Sequence, residues 1–193
     1  MSQTTCELFE AGSVTSAALS DGAVTSAKLA AGAGGKILQV VQTTLTSRIS
    51  QTTSGSTEYD VITASITPSS TSSKVLLVAD IKYHLGGSYN ALGWYFKRNS
   101  TKIYIGDAYG SAQRFTAGGF QLDSSVSGSL GVMQYHGMYL DSPSTASSIT
   151  YAITWQDGNS DAGIFYMNRG ISSGTASNDL TGASSLTLME VAG

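Results

Sequence analysis

Residues 92–105 read LGWYFKRNSTKIYI, two runs rich in aromatic and β-branched residues separated by Asn99-Ser100. Trp, Tyr, Phe and Ile suit a pleated surface and Asn-Ser suits a two-residue turn, so the stretch predicts a β-hairpin. With Arg98 opposite Thr101, the register pairs Phe96 with Ile103 and Trp94 with Ile105 on one face. On the other it pairs Lys97 with Lys102 and Tyr95 with Tyr104. The first face reads as core. The second reads as a solvated sheet face whose lysines discourage edge pairing, contact with a neighbour or ligand being the other reading.

Working outward, similar runs occur at 36–46, 59–67, 74–83, 113–122, 130–140, 148–156, 163–168 and 184–191. Gly, Ser and Asn separate them, and no long helical periodicity lies among them. Many short strands with such turns predict a mainly β fold, an antiparallel β-sandwich of jelly-roll type over 36–193. Leu186 and Leu188 alternate shortly before Met189 and Val191. An apolar run of this kind is expected to complete a sheet, so cutting into it should be damaging.

Ahead of the β region, residues 12–32 read GSVTSAALSDGAVTSAKLAAG and repeat with a ten-residue period: Gly12, Gly22 and Gly32; Val14 and Val24; Leu19 and Leu29. Thr15 and Thr25 fit helix N-caps, and the glycines fit left-handed helix ends, which predicts very short helices. A helix of under two turns is unstable alone, and a repeat unit buries its apolar side chains only against neighbours. With barely more than two units in the chain, the neighbours are expected to be other chains. A threefold stalk with Val14, Leu19, Val24 and Leu29 on its axis meets that need. The alternative is a flexible Ala/Gly/Ser linker, but a linker has no reason to keep valine and leucine in register.

Composition narrows the function classes. Charged residues make up 12% of the chain and its formal net charge is -3. Such a surface is wetted by neutral polar groups and offers no field for a phosphate backbone, so nucleic-acid binding is not expected. Cys6 is the single cysteine and forms neither an intrachain disulfide nor a zinc site by itself. No apolar run reaches the length of a membrane span, and residues 1–9 lack a signal-peptide pattern, so synthesis in the host cytoplasm without membrane insertion is expected.

Near-motifs for chemistry fall short. Gly170-Ile171-Ser172-Ser173-Gly174 has the spacing of a nucleophile elbow, but His84 and His136 both precede it. Residues 30–37 lack the first glycine and the hydroxyl of a phosphate loop. Asp157, Asn159 and Asp161 begin like a calcium loop, but Ala162 and Asn168 stand where the turn glycine and closing glutamate belong. The carboxylates of Glu58, Asp60, Asp107, Asp123 and Asp141 could pair for glycoside hydrolysis only if the fold converges them. The expectation is a non-enzyme with no cofactor and no metal.

The Gly-punctuated units at 12–32, the junction Gly34-Gly35-Lys36-Ile37-Leu38-Gln39-Val40, the SPSTASSITYAI segment at 142–153, Tyr166-Met167-Asn168-Arg169 and the SSLTLMEVA run resemble fibre and minor structural proteins of tailed bacteriophages, notably those of marine bacteria. The resemblance touches most of the chain, and no single motif in it is diagnostic. It implies a virion location, a homotrimer with two further copies of the chain, and an N-terminal anchor at 1–11 held by another virion protein. It also implies a stalk over 12–35 and a distal head that binds a host-surface glycan or protein. Tyr89, Asn90, Tyr109, Asp157, Asn159 and Asp161 are the candidate receptor contacts. The alternative is a purely structural head fibre, capsid decoration or collar or baseplate accessory. A tailspike-type glycan hydrolase would carry long β-helical repeats, which this sequence lacks.

Overall fold

Within Glu58–Ile66 the even-numbered Ile62, Ala64 and Ile66 are buried while Thr63 and Ser65 are exposed, the period-two pattern of a sheet with one wet face. The computed structural model describes residues 36–53, 55, 57–86, 91–120, 132–158, 163–171 and 180–193. The predicted stalk with Val14, Leu19, Val24 and Leu29, its short helices and the anchor at 1–11 lie outside the described residues.

All regular structure among the described residues is β. The strands are β1 (Ile37–Leu45), β2 (Ile49–Thr52), β3 (Glu58–Ile66), β4 (Lys74–Gly86), β5 (Ala91–Arg98), β6 (Thr101–Ile103), β7 (Ala117–Phe120), β8 (Met133–Asp141), β9 (Ile149–Asp157), β10 (Ile164–Met167) and β11 (Ser184–Val191). β2 is absent from the sequence reading. Its four residues, ISQT, carry too short an alternation to announce a strand.

Every pairing is antiparallel, and three strand pairs continue one another along a shared partner. β1 and β2 run end to end along β11 and β10; β10 and β11 run end to end along β4; β6 and β7 run end to end along β5. Counting each pair as one ribbon leaves eight ribbons in chain order. One sheet then reads 1-8-3-6 (β1/β2, β10/β11, β4, β8) and the other 2-7-4-5 (β3, β9, β5, β6/β7). This is jelly-roll connectivity, two Greek keys wrapped into facing sheets.

The core lies between the sheets. Val75, Leu77, Ala79 and Ile81 of β4 face Trp94 and Phe96 of β5 and Ile153 and Trp155 of β9, all with 0% exposure. Phe165 stacks on Trp155 at 5.2 Å between ring centroids, and Tyr135 meets Trp94 edge-on at 4.6 Å. Gly137 permits this second contact, because a Cβ there would lie 2.6 Å from the Tyr135 ring. Each buried aromatic of this size contributes on the order of 2–3 kcal/mol.

Buried polar groups secure the places where strands stop. Asn168, fully buried with φ +59°, sits where the β10/β11 ribbon is interrupted. Its Nδ2 donates to the carbonyls of Leu45 and Ser47 at 2.7 and 3.1 Å, and its Oδ1 accepts from Ser184 Oγ at 2.6 Å. Asp141 of β8 joins the two sheets, accepting from Arg98 Nη1 at 2.9 and 3.0 Å and from the Tyr151 hydroxyl at 2.7 Å.

The hairpin that decided the fold is half as long as its sequence suggests. Phe96 pairs with Ile103 and Lys97 with Lys102 as expected, but pairing ends there. Tyr104 takes φ +54° and its ring stacks on Tyr139 at 4.8 Å. Trp94 pairs with Ala117 rather than Ile105, because the chain leaves the sheet after Ile103 and rejoins it at β7. Tyr95, expected on a solvated face, has 0% exposure.

Candidate functional site

Tyr95 is buried on the outer face of the second sheet because the 104–116 loop lies over it. Gly93 makes room: a Cβ there would stand 2.2 Å from the Phe115 ring. Phe115 instead stacks on Tyr95, with centroids 6.4 Å apart and planes 22° apart. The loop is closed at its neck, where Thr116 Oγ1 donates to the Tyr104 carbonyl at 2.6 Å and Gly106 N donates to the Phe115 carbonyl at 3.3 Å. Arg114 Nε donates to the Gly106 carbonyl at 2.6 Å. Tyr109 stands on the resulting tip, 85% exposed.

Beside the loop, charges line up across four strands. Lys97 Nζ lies 2.6 Å from Asp60 Oδ1 and 3.4 Å from Glu58 Oε2, and Lys102 Nζ lies 3.3 Å from Glu58 Oε1. Lys102 also donates to Gln156 Oε1 at 2.6 Å and stands 4.5 Å above the Tyr95 ring, while Thr154 Oγ1 donates to Asp60 Oδ1 at 2.7 Å. Partial burial works to raise the Glu58 carboxyl, but Tyr95 and the two lysines outweigh it and hold it below the usual carboxylate range. Burial and the Glu58 and Asp60 charges push the Tyr95 phenol well above its usual range. Alternation along β3 and β5 is what brings these side chains to one face.

The carboxylates of this row are engaged by basic side chains. Glu58 and Asp60 are neutralised by lysines, and Asp141 by Arg98. Asp107 is exposed on the loop, and Asp123 lies outside the described residues. His84 is buried with its ring 6.1 Å from that of Tyr166, and His136 is exposed with Nδ1 3.3 Å from Asp80 Oδ1. Among the described residues no three metal-ligating side chains converge. No helix among the described residues is long and apolar enough to cross a membrane.

Of the candidate receptor contacts, Tyr109 is placed on the surface. Tyr89, Asn90, Asn159 and Asp161 lie outside the described residues. Asp157 is 2% exposed, and this corrects its reading as a surface contact. Its Oδ2 accepts from Thr53 Oγ1 at 2.7 Å and from Gly163 N at 3.2 Å, so the carboxylate ties together the base of the loop it was expected to present. Asn168, at the closing position of the calcium-loop spacing, is committed to the strand junction described above.

Sequence reading missed the loop cover and the apolar outer face of the first sheet. Val40, Met138 and Leu140 are 58%, 66% and 46% exposed. The available signal was the loss of alternation: in ILQVV (37–41) and KVLLV (74–78) apolar residues occupy both parities, as expected where both faces are covered.

No family model and no curated protein matches this sequence. Among solved structures the chain is similar to one in the structure of infectious bursal disease virus Gx strain, at 10% identity and a TM-score of 0.41. That match covers 80% of this chain and 37% of the viral one, so this chain spans little more than a third of its length.

Proposed function

We propose that this chain is a homotrimeric virion structural protein of a tailed phage, a short fibre whose jelly-roll head is carried on a repeat stalk. The decapeptide repeat at 12–32 carries the reading, because two units cannot cover their own valines and leucines and so call for further chains. The charge-poor composition and the lattice of committed acids fit a structural or adhesive surface. Jelly rolls serve as capsid and lectin domains, both consistent with this role, although the fold alone does not choose between them.

Light scattering on the full chain is expected to give three times the 20.0 kDa chain mass. Replacing Leu19 and Leu29 together with aspartate is expected to weaken assembly, because it would place charges on an apolar axis. A monomeric wild type at micromolar concentration overturns the reading, and an antibody to the chain that fails to label phage particles removes the virion location.

The Tyr109 loop favours adhesion as the role of the head. An exposed aromatic on a loop pinned at its neck is suited to stacking on a sugar or contacting a host protein at low entropic cost. Purified trimer is then expected to bind host cells and compete with phage adsorption. Absence of any competition would favour a purely structural part of the capsid, collar or baseplate.

A further inference from the structure

The outward positions of the first sheet change character along the strands. In one rung across the sheet, Val40 pairs with Met189, Met189 with Leu76 and Leu76 with Leu140, all apolar. Two residues further along, the rung is Gln42, Thr187, Val78 and Met138; beyond it comes Thr44, Ser185, Asp80 and His136. The sheet is therefore apolar at one end and polar at the other. The facing sheet presents Thr63, Ser65, Asp60, Thr150 and Lys97 on its outside, so the apolar rungs belong to one face of the sandwich alone.

A contiguous patch of half-exposed Val, Leu and Met on an otherwise neutral polar protein marks an interaction surface. Its position points to the occupant. The apolar rung lies at the start of β1, at Val40, only a few residues after the chain leaves the repeat region at residue 35. Copies joined through residues 12–32 would hold their β1 strands close together, at a high effective concentration for contact between identical patches. The all-apolar rung and the Gln42–Met138 rung beside it bear no charge, so identical copies meet there without like-charge repulsion; Asp80, Lys82 and His136 lie beyond them on one side and Lys74, opposite Val191, on the other.

We propose that this apolar face, centred on Val40, Leu76, Met138, Leu140 and Met189, is the head-to-head interface between copies of this chain. The inference rests on the trimeric reading above and locates where the heads touch.

The test measures the association of the full chain for wild type and for Val40→Lys/Met138→Lys, with circular dichroism and thermal unfolding as checks on the fold. Both positions are more than half exposed, at 58% and 66%, so the fold is expected to tolerate the change. Association is expected to weaken at least about tenfold, since each buried lysine costs more than that in an apolar contact. Val40→Thr/Met138→Gln, a milder pair, is expected to weaken it in the same direction should the lysine pair disturb folding. A folded trimer with unchanged association in both pairs overturns the interface and leaves the trimer standing. A monomeric wild type overturns the trimer, and the interface with it.

Discussion

The Ser184 hydroxyl donates a 2.6 Å hydrogen bond to the Asn168 carboxamide oxygen, closing a gap of sixteen residues between β10 and β11. The same carboxamide donates to Leu45 and Ser47, where β1 gives way to β2. One side chain thus holds two adjacent ribbons at the point where both lose regular pairing. Only a residue that tolerates a left-handed backbone and offers both donor and acceptor serves here, which is why asparagine stands at φ +59°.

Asn168→Ala is accordingly expected to lower unfolding free energy by roughly 3 kcal/mol, from lost hydrogen bonds, stranded carbonyls and strain. Asn168→Gly should recover the strain component alone and fall between wild type and alanine. Urea unfolding reads both, and an alanine variant within about 0.5 kcal/mol of wild type would refute the junction's role.

Glu190 predicts an acid limit. It is 1% exposed, and its carboxylate accepts from Ser69 N and Oγ, Ser73 Oγ and Gln39 Nε2 at 2.6–2.7 Å. Burial works to raise its pKa, but these donors outweigh it and hold it at about 2 against an ordinary 4.5. The folded value is depressed, so the contribution is present above pH 4.5 and disappears as pH falls toward 2. It amounts to roughly 3 kcal/mol in full. Glu190→Gln should be less stable at neutral pH and show a flatter stability curve between those limits; a parallel curve would mean other carboxylates set the limit.

Gly93→Ala drives a methyl group into Phe115 and is expected to cost about 1–3 kcal/mol or to lift the 104–116 loop. Limited proteolysis should then cut within the loop. Phe115→Ala in the same chain should relieve the clash, so the two changes are predicted to be non-additive. Additive losses would show that Gly93 acts elsewhere.

Asp141→Ala leaves the Arg98 guanidinium and the buried Tyr151 hydroxyl without their shared acceptor and is expected to cost roughly 3 kcal/mol. Thermal unfolding measures it. A loss no larger than that of an exposed ion pair would place the clasp in solvent.

Tyr109→Ala is expected to leave stability unchanged within about 0.5 kcal/mol, since the side chain is 85% exposed, and, under the adhesion role proposed above, to reduce binding to host cells. Unaltered binding would take the loop out of the contact surface.

Local pattern and tertiary contact contributed different things to these conclusions. The β class, the reach of the final strand and the Lys97–Lys102 register are legible because alternation and turn residues act over a few positions. The end of the hairpin at Ile103 is not, since it depends on Tyr104 finding Tyr139 on another sheet. Nor is the burial of Asp157, whose partners Thr53 and Gly163 are set by loop closure rather than by spacing.

What the sequence alone determined is a chain of short strands behind a ten-residue repeat. The tertiary structure decided that the strands interlock as a jelly roll, because that connectivity is written in pairings such as Leu45 with Ser184 and Thr52 with Ile164, more than a hundred residues apart. It also decided which apolar residues remain outside. Val41 and Val40 are alike in sequence, yet the pleat turns Val41 toward the core and leaves Val40 on the outer face of the sheet.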